Sequence, residues 1–147
     1  MRSPAGDIDW RHHLRGHCLS IFSLTTLDKV SGLVDVFADL AKSTGLARAL
    51  GEESVGCYVQ PVVQNHACHV ELLVPFDVAR PGEVDRMRQL EREAVRALTA
   101  AGAFFSRPYG SAAETVFRQN PVSYDVLKKV KGIFDPNRIL NRGKWGL

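Results

Sequence analysis

VGCYVQPVVQNHACHVELLVPFD, residues 55–77, decides the fold. Two runs rich in β-branched and aromatic residues, Tyr58–Val63 and Cys68–Val74, flank a polar Gln-Asn-His-Ala link. That pattern predicts an antiparallel hairpin. Pro61 has no N–H to give to a ladder, so the first run belongs at a sheet edge or a bulge.

Upstream, HCLSIFSLTTL alternates in the manner of a strand around Leu19–Leu24. Leu27, Val30, Val34, Phe37 and Ala41 then recur at three- and four-residue steps. They predict an amphipathic helix capped by Thr26, stopped by Gly45 and mildly interrupted by Gly32. Downstream, PGEVDRMRQLEREAVRALTAAG is the clearest helix, with Val84, Met87, Leu90, Ala94 and Leu98 as its stripe. Pro81 precedes its first turn, Glu83 and Asp85 load its N-terminal end, and Gly102 stops it. AFF makes a further short strand. SRPYGSAAETVF turns into another helix, and PVSYDVLKKVKGIF is a last helix ended by Gly132 and Pro136.

The order is that of an α+β, ferredoxin-like β-α-β-β-α-β antiparallel sheet with helices on one face. C-terminal helices and an extended tail follow. Residues 1–17 read as a polar lead-in anchored only by Trp10, and 18–147 as one domain with its tail over 132–147. At 147 residues the chain is long enough to bury a core.

Hydrophobic residues make up 45% and charged residues 24%, the composition of a globular protein. The formal net charge is +3, but its cations are dispersed. No basic stripe or interleaved basic and aromatic pattern points to nucleic acid, whereas an anionic small molecule suits the charge. Cys18, Cys57 and Cys68 form no Cys-x-x-Cys pair and lie in apolar runs, so they are expected to be small buried hydrophobes in a reducing, cytoplasmic setting. No apolar run is long enough to span a membrane, and the N-terminus has no apolar signal region.

Three stretches could carry chemistry. In NHACHVE, a strand puts His69 and Glu71 on one face while His66 faces away or lies in the turn. Two ligands make no zinc or iron site, so the reading is a polar strand face lining a cleft, with no metal. In FFSRPYG, Arg107 stands at the end of a strand with Ser106 and Tyr109 beside it. The arginine can hold a carboxylate or phenolate and the tyrosine can hydrogen-bond or transfer a proton, or Arg107 can make an ordinary salt bridge. In GIFDPNRILNRGK, Asp135-Pro136-Asn137 reads as a turn and Ile139-Leu140 as an apolar plug. Asn141, Arg142, Gly143 and Lys144 then form a donor-rich loop that can approach a ligand closely.

The tail LKKVKGIFDPNRILNRGKWGL resembles the end of FAD-linked oxidases of the vanillyl-alcohol oxidase and para-cresol dehydrogenase superfamily. The usual ILNPGK becomes Ile-Leu-Asn-Arg-Gly-Lys here, with Arg142 in place of the proline. GAFFSRPYG and the sheet around YVQPVVQNHACHVELLVPFD fit the order of that family's C-terminal cap, so the resemblance runs from about Cys18 to Leu147. It implies a cap that positions a small organic substrate, of hydroxy-acid or aromatic-alcohol type, for hydride transfer to FAD. It further implies that Arg107 binds the substrate anion and Tyr109 supplies a neighbouring hydrogen bond. Ser106, His69 and Glu71 would line the cleft, and Asn141, Arg142, Gly143 and Lys144 would lie near the flavin.

Phenol-oxidising members carry tyrosine where Ser106 stands, which disfavours a phenol. The metal-dependent branch carries a Glu-His-Gly motif that is absent here. The tail's apolar residues, Trp145 and Leu147 among them, would lie on an FAD-binding domain supplied by another chain or a missing N-terminal region. The chain is not expected to act alone. The alternative is a non-catalytic ferredoxin-like module that binds a partner protein or small ligand.

Overall fold

The computed structural model describes residues 17–44, 55–64 and 66–142. Strand β1 (His17–Thr25) leads through a 3-10 turn (Leu27–Lys29) into helix α1 (Val30–Ser43). Strands β2 (Gly56–Val62) and β3 (Ala67–Phe76) form the expected hairpin. Three helices follow: α2 (Glu83–Ala100), α3 (Ser111–Arg118) and α4 (Pro121–Phe134). The lead-in up to residue 16, with Trp10, lies outside the described residues. So do Gly45, Gly143, Lys144, Trp145 and Leu147.

The sheet is antiparallel in the order β1-β3-β2, which puts Pro61 on an edge strand as its chemistry requires. The α+β fold is therefore as the sequence predicts. Its fourth strand shrinks to a bridge between Phe104 and Leu24, closed by two reciprocal N–H to O bonds of 2.8 Å. Gly102 at the helix end and Pro108, which has no N–H, leave little room for a longer ladder.

Period-two alternation divides the two faces of the sheet. On the inner face, Ile21, Leu72 and Val74 pack against Leu33, Phe37 and Ala41 of α1 and Met87, Leu90, Ala94 and Leu98 of α2. Each fully buried Leu or Val contributes about 1.5–3 kcal/mol. The apolar stripe of α1 differs in phase from the expected one. Leu33 is buried while Leu27 is exposed, because the 3-10 turn uses up Leu27–Lys29 before the α-helix begins. Thr26 makes no side-chain cap bond.

Two further expectations need correction. Gly132 lies inside α4, which runs on to Phe134 and has Asp135 as its C-cap residue. Of the cysteines only Cys68 is buried; Cys18 lies at the start of β1 and Cys57 on the edge strand, and both are exposed.

The end of α2 is a complete Schellman closure. The Ala103 amide donates to the Leu98 carbonyl at 2.9 Å and the Gly102 amide to Thr99 at 3.0 Å, with Gly102 at φ 95°. This turn aims the Ala103–Phe105 segment back at β1.

Candidate functional site

The outer face of the sheet carries a cleft of about 570 Å³. The register brings its side chains together from distant parts of the sequence: Phe22 and Tyr58 both stand opposite Glu71, while Leu24 and Gln60 both stand opposite His69. Ser106 and Arg107 complete the wall beyond β1. Four of the residues singled out from the sequence, His69, Glu71, Ser106 and Arg107, thus line one cleft.

Glu71 accepts a hydrogen bond from Ser20 Oγ at 2.7 Å. Its other oxygen lies 3.7 Å from His69 Nε2, an ion-pair distance rather than a hydrogen bond. The side chains of Glu71 and His69 are 12% and 28% exposed, so both are sheltered but reachable. Phe22 stacks on the His69 ring with centroids 5.9 Å apart and planes 18° apart. Tyr58 meets the same ring edge-on at 6.2 Å. The Tyr58 hydroxyl donates to Gln60 Oε1 at 3.2 Å. His66 lies in the hairpin turn, its amide bonded to the Val63 carbonyl.

Arg107 has no carboxylate partner among the described residues, so the salt-bridge reading does not hold there. Its exposed guanidinium is available to an anion. Tyr109 lies at a smaller neighbouring recess of about 140 Å³, which it shares with Arg107, Phe105, Ala112 and Glu91. Arg107 therefore belongs to both hollows and Tyr109 to the smaller one.

A larger groove of about 700 Å³ runs along α2 past the end of α1. It is lined by Asp85, Arg86, Arg92 and Glu93, whose mixed charges are those of a solvated helix surface. Among the described residues no group of three or more His, Cys, Asp or Glu gathers as a metal site.

The tail is organised by Asp135, which is only 4% exposed. Its carboxylate accepts Lys131 Nζ at 2.6 Å, the Ile139 amide at 2.8 Å and the Leu140 amide at 3.1 Å. The Lys131 ammonium bonded to Asp135 holds its carboxyl below the usual carboxylate range, and the two amides assist against the opposing effect of burial. Asn141 sits in the left-handed region at φ 49°, and Arg142 Nε donates to the Arg138 carbonyl at 3.2 Å. Arg142 thus closes locally a turn that proline would have stiffened.

Val122, Val126, Val130 and Ile133 form one stripe of α4, spaced at four, four and three residues, and are 44–74% exposed. Phe134, Ile139 and Leu140 extend this exposed apolar surface onto the tail. α4 itself is held to α3 through Phe117 stacked on Tyr124 at 4.9 Å. The apolar plug read from the sequence is therefore presented outward.

The sequence reading missed Ser20, Phe22, Tyr58 and Gln60. Nothing local marks them, since they join the site only through pairing with β3.

A family model described as FAD linked oxidases, C-terminal domain, matches residues 25–145. The chain belongs to that family: it is a C-terminal domain of the FAD-linked oxidases. No curated protein and no solved structure matches it at a significant level.

The family implies FAD. The first turn of α2 carries Glu83 and Asp85, whose carboxylates repel phosphate at that helix N-terminus. Asn141 and Arg142, in contrast, offer donors suited to the acceptor atoms of a flavin rim.

Proposed function

We propose that this chain is the substrate cap of an FAD-dependent oxidoreductase of the vanillyl-alcohol oxidase and para-cresol dehydrogenase superfamily. Its FAD-binding domain is supplied by another chain or by another region of a longer one. The cap holds a small anionic organic substrate, of hydroxy-acid or aromatic-alcohol type. FAD, when bound, supplies the two-electron acceptor.

The observation that carries this reading is Arg107, an arginine without a carboxylate partner among the described residues, at the rim of an aromatic-walled cleft. Its forked donors bind the anion, Phe22 and Tyr58 flank the organic body, and Ser106 adds a hydroxyl. Tyr109 supplies a hydrogen bond from the adjoining recess. The exposed stripe of α4 and the Asp135-centred tail support docking on the FAD domain, with Asn141 and Arg142 as the described residues nearest the flavin.

The test begins with protein from its native source. A yellow complex heavier than 16.3 kDa is expected. In that complex Arg107→Ala raises KM or lowers kcat by about tenfold or more, the loss of one charge-assisted hydrogen-bonded contact. Unchanged kinetics would remove Arg107 from the site, and a colourless species of this mass alone would favour the non-catalytic module.

A further inference from the structure

We infer that His69 is the proton acceptor of the cleft, with Glu71 and Ser20 as the residues that position it. The inference rests on the reading of the cleft as the substrate site, and it adds a role that Arg107 cannot fill. A guanidinium stays protonated at any ordinary pH and attracts anions, but it takes no proton from a neutral hydroxyl.

Four contacts fix the imidazole or its support. Phe22 stacks against one side and Tyr58 meets it edge-on, which sets the plane of the ring. Glu71 Oε2 faces Nε2 at 3.7 Å, and Ser20 Oγ holds the other carboxylate oxygen at 2.7 Å from across the β1–β3 pair. A carboxylate beside Nε2 favours the tautomer with its proton there, leaving the lone pair on Nδ1. A histidine that merely filled space would need neither the carboxylate nor its serine tether. This one is also partly exposed to the cleft.

Among the described residues, the charged and titratable groups around the ring are few. β3 contributes Glu71, β2 contributes Tyr58, the segment beyond β1 contributes Arg107, and β1 contributes only Ser20, Phe22 and Leu24. The step is a plain proton transfer. The O–H bond of a bound substrate hydroxyl breaks, its electron pair stays on oxygen, and the proton forms an N–H bond at Nδ1. Arg107, at the same cleft, offsets the negative charge left on that oxygen.

Nitrogen NMR of the imidazole in this chain tests the positioning without any cofactor. The wild type should show His69 with its proton on Nε2. Glu71→Gln and Ser20→Ala should shift the population towards the other tautomer, and Ser20→Thr, which keeps the hydroxyl, should restore it. A tautomer state that ignores all three substitutions overturns the positioning.

In the flavin-loaded complex, His69→Gln should lower kcat about a hundredfold or more, as loss of a general base does. Ser20→Ala should lower kcat with little change in KM, and Ser20→Thr should recover it. If His69→Gln leaves kcat intact while Arg107→Ala still impairs the enzyme, the proton-acceptor role fails and the substrate site stands. If neither variant has an effect, the reading of the cleft itself fails.

Discussion

Lys131 Nζ lies 2.6 Å from Asp135 Oδ2 and 2.9 Å from the Leu140 carbonyl oxygen, so one ammonium ties the end of α4 to the turn beyond it. Asp135 completes the ring through the Ile139 and Leu140 amides. Asp135→Asn replaces one acceptor oxygen with an N–H donor that faces other donors. The expected outcome is loss of hydrogen-exchange protection at Ile139 and Leu140, with the amides of α2 unaffected.

The same ring sets a pH dependence. The folded carboxyl of Asp135 titrates below its ordinary value, so the stability it adds is fully present above about pH 4, the unfolded value. That contribution is lost as pH falls through the lowered folded value. Amide exchange should therefore show the tail loosening in acid, and Asp135→Asn should abolish the difference between neutral and acid tails.

The exposed stripe of α4 gives a prediction that separates folding from docking. Val126→Lys combined with Ile133→Lys changes solvent-facing positions, so the stability of this chain should move by no more than about 0.5 kcal/mol per site. Association with the flavin domain should weaken strongly, because a desolvated ammonium would have to enter an apolar contact. Co-purification of the double variant at wild-type yield would show that the stripe is not the docking face.

Gly102 allows a fourth test. Its φ of 95° is strained for any side chain, and an added Cβ would lie 3.2 Å from Lys29 Nζ. The lysine end can move, whereas the backbone angle cannot, so Gly102→Ala should cost about 1–2 kcal/mol. Denaturant unfolding measures it.

Asn120 offers a fifth. Its Oδ1 accepts the Ser123 amide at 3.0 Å, and Pro121 supplies the first helical residue of α4. Asn120→Ala should cost about 1 kcal/mol of helix stability. Because α4 has no buried residues of its own, the loss should appear first as fraying of α4 in amide exchange rather than as global unfolding.

Local patterns made most of the architecture legible. The stripe of Met87, Leu90, Ala94 and Leu98 is a 3.6-residue signal strong enough to place α2 unaided. Pro61 correctly announced an edge strand. The first turn of α1 escaped because a 3-10 start changes the residues per turn, and no propensity marks that switch. At the site, His69 and Glu71 could be paired from spacing alone, since they are two apart on one strand. Ser20 and Tyr58 could not, because their place beside Glu71 is set by strand register over long separations.

The curtailed fourth strand has a consequence for Arg107. A regular strand sends consecutive residues to opposite faces, so a ladder continued past Phe104 would place Ser106 on the outer face and turn Arg107 into the core. Instead the pairing ends at a single bridge, and both residues reach the same cleft. Each ladder bond forgone costs about 1 kcal/mol. Orderliness has here been exchanged for aim, and an engineer who lengthened this strand to make the domain sturdier would turn Arg107 away from the cleft.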